Sequence, residues 1–151
     1  VNDIETEDCA VAIGRTTDGG LVSMNVNLGA ATESSRLVWC FEHVTIESST
    51  SPYDPAAGPW TFEFKNPSAA EAAALVFESV KPTKALYTGQ FQGFVDALRD
   101  GGELPITLAD AQATLELVTA WYRSARTGSV ETLPLPADHP DRASWRPAGF
   151  T

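Results

Sequence analysis

The sequence predicts an α+β fold, an open and mainly antiparallel β-sheet with helices packed on one face. Runs that alternate apolar and polar residues, the period of a strand, recur in the chain up to Lys65. Runs with apolar residues three and four positions apart, the period of a helix, dominate after Tyr87. Strands followed by helices indicate helices on one side of an antiparallel sheet. We therefore expect residues 1–151 to form a single domain of this class.

Two strand-like runs near the N-terminus, Cys9–Arg15 and residues 21–28, are separated by the turn signal Thr17-Asp18-Gly19-Gly20. Every other residue of the second run is apolar, which predicts one face on a core and one polar face. The apolar members are Val22, Met24, Val26 and Leu28.

Residues 37–46 form the next apolar, strand-like run, and residues 60–65 alternate aromatic with polar side chains as a strand does. The serine- and proline-rich residues 48–59 between them predict a loop. Residues 69–76 are rich in alanine, which predicts a helix. Ser68, directly after Pro67, is the expected cap of this helix.

Two further helices are predicted after Tyr87. The first is ended by Gly101, since glycine tolerates the left-handed conformation that closes a helix. The second begins at a capping box of Thr107 and Asp110 and ends before Gly128. Residues 130–133 give a short strand signal, and residues 137–151 predict an irregular surface segment. The expected buried stripes are Phe91, Phe94, Val95 and Leu98 on the first helix and Leu108, Ala111, Leu115, Val118, Tyr122 and Ala125 on the second.

The composition of the chain argues against some classes of binding partner. The net charge of −10 argues against nucleic acids and anionic membranes, which recruit proteins through basic patches. No apolar run reaches the ~20 residues that span a bilayer. Cys9 and Cys40 are too few for a disulfide framework, and both lie in apolar runs where a thiol is usually buried. Two reduced thiols are expected, with a single bridge between strands as the alternative, and the expected location is cytoplasmic.

The sequence contains no recognisable catalytic constellation. There is no G-x-G-x-x-G turn to hold the pyrophosphate of a nicotinamide cofactor. His43, beside Glu42, is expected to be a solvated turn residue. His139 lies between Asp138 and Asp141, but three such residues on an irregular segment do not predict a metal site. We expect no catalytic, cofactor-binding or metal-binding residue in this chain.

Two stretches carry a family resemblance. Residues 94–135, FVDALRDGGELPITLADAQATLELVTAWYRSARTGSVETLPL, resemble the C-terminal end of the Gfo/Idh/MocA family of NAD(P)-dependent oxidoreductases, which act mostly on sugars and cyclitols. The run Glu7-Asp8-Cys9-Ala10-Val11-Ala12, followed by Asp18-Gly19-Gly20-Leu21, resembles the acidic pair that leads into the first strands of the family's substrate domain. The two stretches stand in the family's order.

The resemblance implies two local features. It implies a hairpin within residues 37–46, with Phe41-Glu42-His43 at a turn where relatives commonly have glycines. It also offers an alternative to the alanine-rich helix, namely a strand that ends near Phe77.

The resemblance further implies an enzyme with two domains, of which this chain is one. This chain would be the C-terminal, substrate-side and oligomerisation domain of a longer oxidoreductase, and NAD or NADP would be held by a nucleotide-binding domain upstream of Val1. The family's Glu-Lys-Pro motif and its Asp-x-x-x-His pair have no counterpart in this chain. Lys81-Pro82 matches only the last two residues of the first motif. The chain alone is therefore not expected to be catalytic.

The substrate-binding residues that the resemblance implies are Tyr87 and Gln90. The family often places a tyrosine before this helix, where it reaches the hydroxyl groups of a sugar or polyol. Gln90 stands where many relatives have glutamate. For Tyr87, packing at the helix entry is the equal alternative. Trp39, Trp60, Phe62 and Phe64 are expected to be core or interface residues rather than a platform for stacking sugars.

The expected partner is a second copy of the chain. Two long helices do not cover both faces of a sheet, and the apolar density of residues 37–46 and 60–64 argues against a fully solvated face. We expect a homo-oligomer that forms through sheet faces, as in the family. The alternative function is a stand-alone α+β module for dimerisation or ligand binding, without catalytic activity.

Overall fold

The structure is a computed structural model that describes residues 7–80 and 86–144. The described residues fold as α+β, in the order β1, β2, β3, β4, a 3-10 turn, β5, α1, α2 and α3. The chain divides into two compact units, Val1–Gly89 and Gln90–Thr151, with the boundary inside α2. None of the described helices is both long enough and apolar enough to cross a membrane.

The first sheet is the predicted hairpin of β1 (Cys9–Arg15) and β2 (Leu21–Asn27), paired antiparallel from Cys9 opposite Asn27 to Arg15 opposite Leu21. Its turn is closed by the Thr16 N–H, which donates to the Gly20 carbonyl at 2.9 Å. Gly19 has a φ of 94°, a value that favours glycine. The Thr16 hydroxyl also donates to the Asp18 carboxylate and lowers the pKa of that group. The hairpin prediction is confirmed.

The second sheet is antiparallel, in the order β3 (Val38–Cys40), β4 (Val44–Glu47) and β5 (Thr61–Phe64). The expected turn between β3 and β4 is present, and the Phe41 N–H donates to the Val44 carbonyl across it at 2.9 Å. No residue of this turn has a positive φ, so it forms without glycine. Residues 48–59 form the predicted loop, apart from a 3-10 turn at Pro55–Ala57.

The strands form two sheets rather than the single open sheet that the sequence predicts. The chain turns immediately after β2, where the Asn27 side chain accepts a hydrogen bond from the Gly29 N–H at 2.8 Å. Such side-chain hydrogen bonds are typical of turns. In the described residues, β2 pairs with β1 only, and β3 begins a separate sheet.

The register of the second sheet sorts its side chains by polarity. Trp39, Ile46 and Phe62 lie directly opposite one another and so share one face. Helix α1 (Pro67–Ser79) packs on that face, and the rings of Phe62 and Phe77 meet edge to face at 4.8 Å. The opposite face is mainly polar, and its members are Val38, Cys40, Thr45, Glu47, Thr61 and Glu63.

Helix α1 settles the alternative between helix and strand in favour of the helix, and Phe77 lies within it. Its cap is Asn66 rather than Ser68, because the Asn66 side chain accepts the Ala69 N–H at 2.9 Å. Ser68 instead donates its hydroxyl to Asn66 at 2.7 Å. Pro67 occupies the first turn, where its missing N–H costs nothing. The prediction of Ser68 as the cap is therefore wrong.

Helix α2 (Leu86–Asp100) forms and ends at Gly101 as predicted, with a φ of 73° at the glycine. Its predicted apolar stripe is largely exposed, with Phe94 half-buried. Ala97 is the buried residue, and a side-chain carbon at Gly93 would lie 3.3 Å from the Pro105 ring. Small residues let the loop after the helix approach this side more closely than the bulky stripe would allow.

Helix α3 (Leu108–Thr127) begins at the predicted capping box, with reciprocal hydrogen bonds between Thr107 and Asp110. It ends before Gly128, which is left-handed with a φ of 69°. Its buried residues are Glu116, Thr119 and Ala120, not the predicted stripe, of which Leu108 is 90% exposed. The strand predicted at residues 130–133 is absent, since these residues lie in an irregular segment.

The contact between α1 and β5 gives a first prediction. Phe77→Ala removes the ring that meets Phe62, and we expect a loss of about 1–2 kcal/mol, below the ~3–5 kcal/mol of a fully buried phenylalanine because Phe77 is half-exposed. Leu75→Ala on the same helix, where Leu75 is 72% exposed, should cost less than about 0.5 kcal/mol. Urea unfolding followed by tryptophan fluorescence measures both. Equal losses for the two variants would mean that the ring contact does not hold α1.

Candidate functional site

The two residues implied as substrate ligands lie on the first turns of α2. Tyr87 and Gln90 are three positions apart, which places their side chains on one side of a helix. Tyr87 is 73% exposed, and Gln90 is half-buried. The residues that lead into this helix, 81–85, lie outside the described residues, as does the Lys81-Pro82 pair.

The chemistry that this pair offers is hydrogen bonding. A phenol hydroxyl donates and accepts one hydrogen bond each, and a primary amide offers two donors and a carbonyl acceptor. An exposed tyrosine also presents an apolar ring face against which a sugar ring can stack. Groups of these two kinds can each form hydrogen bonds with hydroxyl groups.

The aromatic residues of the second sheet divide into two groups. Trp39 and Trp60 stack with their ring centroids 5.5 Å apart, and the Trp60 indole N–H donates to the Ala56 carbonyl at 3.3 Å. Phe62 and Phe64 are half-buried on the face that α1 covers. Phe62 is thus a packing residue, whereas Trp39 remains 43% exposed.

A cluster of charged residues that the sequence did not predict joins α3 to the irregular segment after it. We call it the polar clasp, and its members are Gln112, Glu116, Arg123, Arg126, Glu131, His139, Asp141 and Arg142. The buried Glu116 carboxylate accepts hydrogen bonds from the Gln112 amide at 2.8 Å and from the Leu135 N–H at 3.1 Å. Arg142 lies 3.1 Å from the same carboxylate and donates to the Leu135 carbonyl at 3.0 Å.

The other half of the polar clasp centres on Asp141. Arg126 donates to its carboxylate at 2.5 Å, and Arg123 lies 3.6 Å away and bridges towards Glu131. His139 accepts the Asp141 N–H at Nδ1, so Nε2 carries the proton of the neutral ring and faces the Glu131 carboxylate at 3.5 Å. The His139 side chain is only 6% exposed. The polar clasp contains three arginines and three carboxylates, so these charges are balanced. The contacts among them attach the segment after α3 to that helix.

The histidine predictions have different outcomes. His43 is exposed in the turn before β4, 3.9 Å from Glu42, as expected of a solvated turn residue. His139 lies on an irregular segment, but the segment packs on α3 instead of lying loosely on the surface. Within residues 7–80 and 86–144, no group of three or more His, Cys, Asp or Glu side chains is arranged to hold a metal ion.

The cysteine prediction was wrong about burial. Cys9 and Cys40 are both free thiols, and both are exposed. Cys40 points to the mainly polar face of the second sheet, and Cys9 starts a hairpin that is only two strands wide. A hydrogen bond with the Asp8 side chain raises the pKa of the Cys9 thiol, which disfavours the reactive thiolate.

The polar clasp yields a prediction at Glu116. The Gln112 amide, followed by the Leu135 N–H and Arg142, lowers the pKa of Glu116 below its ordinary value of 4.5. Both carboxylate oxygens accept hydrogen bonds, so Glu116→Gln places an amide donor against another donor. We expect a lower urea midpoint for this variant at pH 7. The matched control, Glu71→Gln at an exposed site on α1, should leave the midpoint unchanged.

The same variant has a defined pH dependence. A carboxyl whose pKa is lowered by folding stabilises the fold above its unfolded pKa, and it loses that contribution as pH falls through the folded pKa. The difference between the wild-type protein and Glu116→Gln should therefore be largest above about pH 4.5 and shrink at lower pH. A difference that stays constant down to pH 2 would contradict the role of the ionised carboxylate.

Comparisons of this chain with models of protein families, with curated proteins and with solved structures find no match.

Proposed function

We propose that this chain is the C-terminal, substrate-side and oligomerisation domain of an NAD(P)-dependent oxidoreductase of the Gfo/Idh/MocA type. The proposal depends mainly on residues 94–135, the longer of the two stretches that carry the resemblance. These residues form the end of one helix, a second helix and a segment that is hydrogen-bonded to the second helix. Helix α2 ends at Gly101, α3 starts at its capping box, and Glu116 binds the N–H of Leu135, the last residue of the stretch. Antiparallel sheets before the helices add support, because they are the expected α+β order.

We propose different roles for this chain and for the domain upstream of it. The full enzyme moves a hydride between a secondary alcohol carbon and a nicotinamide, and the residues that bind NAD or NADP and transfer the proton lie upstream of Val1. Tyr87 and Gln90 bind the hydroxyl groups of a sugar or cyclitol and orient it. The exposure of Tyr87 leaves its ring accessible for this contact.

A homo-oligomer is part of the proposal. The mainly polar outer face of the second sheet is a poor candidate for the interface, so the first sheet is the better one. Val11, Ile13 and Leu21 share one face of the β1–β2 hairpin by register, and Ile13 and Leu21 are 87% and 80% exposed. The same face also carries Arg15, Ser23 and Asn25, so its exposed apolar side chains are the candidate contacts of a mixed surface. We place the subunit interface on this face.

The same exposed face also favours a second candidate function, a stand-alone α+β module that dimerises or binds a ligand without redox chemistry. The two candidates differ in what precedes Val1. An oxidoreductase requires a βαβ unit with a glycine-rich turn there, because the nicotinamide nucleotide needs that turn for its pyrophosphate. A stand-alone module requires none.

A nucleotide-binding measurement tests the proposal that the cofactor site lies outside this chain. Since no glycine-rich turn is present in the sequence, this chain alone should bind neither NADH nor NADPH. Calorimetric titration at millimolar nucleotide should give no saturable heat. A dissociation constant of about micromolar order would show that the chain carries its own nucleotide site.

Tyr87→Phe tests the substrate contact. In the full-length enzyme, loss of a hydrogen bond worth about 0.5–1.5 kcal/mol should lower kcat/KM by up to about tenfold, with the melting temperature unchanged. Thr88→Val at the neighbouring exposed position is the control and should leave kcat/KM unchanged. A lower melting temperature with normal kinetics would make Tyr87 a packing residue.

Ile13→Lys tests the interface. Light scattering of this chain at micromolar concentration should give at least twice the 16.1 kDa of one copy. A specific contact buries about 1,000 Å² or more, and a lysine at its centre should shift the population to monomers. Val130→Lys, at a residue that is 94% exposed outside the sheets, adds the same charge and should leave the mass unchanged. A wild-type monomer would refute the oligomer.

A further inference from the structure

We draw no further inference here: the strongest candidate, the exposed apolar strip of Leu37, Trp39 and Phe41 along the open edge of the β3–β4–β5 sheet, carries no proposal because nothing in the structure shows what covers it.

Discussion

The alternation of side chains across an antiparallel sheet is the constraint on which the first unit of this protein depends. With a period of two, the register that sets Trp39 opposite Ile46 and Phe62 also places every aromatic side chain of strands β3 and β5 on one face. That face receives α1, and the other carries threonine and glutamate together with Val38 and Cys40. The sheet can therefore lie against water on one side. For the proposed subunit interface we therefore favour the β1–β2 hairpin, where Ile13 and Leu21 lie exposed.

Most of the buried residues described in the second unit are small or polar, and Leu135 is the large apolar residue among them. Its buried residues on α3 are Glu116, Thr119 and Ala120, and Ala97 is the buried residue of α2. A buried carboxylate is unfavourable unless its oxygens are hydrogen-bonded, and here Gln112, the Leu135 N–H and Arg142 supply those bonds. The ionised Glu116 thus fixes where the segment after α3 crosses the helix. His139 and Asp141 extend the same attachment.

The sequence predicted those features that local rules decide. The hairpin turn at Gly19, the capping box of Thr107 and Asp110, and the helix ends at Gly101 and Gly128 all depend on residues close together in the chain. Each of these predictions is confirmed, because backbone conformation at glycine and side-chain capping are set within a few residues.

The features that were missed depend on contacts between distant residues. The Glu116 carboxylate meets Leu135 nineteen positions later, and no periodicity in the sequence indicates that meeting. Periodicity also predicted the wrong buried side for α2, because Gly93 and Ala97 admit close packing that bulky Phe91 and Leu98 do not. For the candidate site, the sequence supplied Tyr87 and Gln90, and the structure adds their placement on one side of α2. The polar clasp could be recognised only once α3 and its following segment were placed together.

The central claim is that this chain is the substrate-side part of a longer oxidoreductase, and the mass of the intact gene product tests it most directly. Mass spectrometry of the protein isolated from its source should give a value well above 16.1 kDa, larger by a nucleotide-binding domain of about 100–150 residues. Peptides from the added part should include a glycine-rich turn between a strand and a helix. A product of 16.1 kDa would contradict the account and favour a stand-alone module.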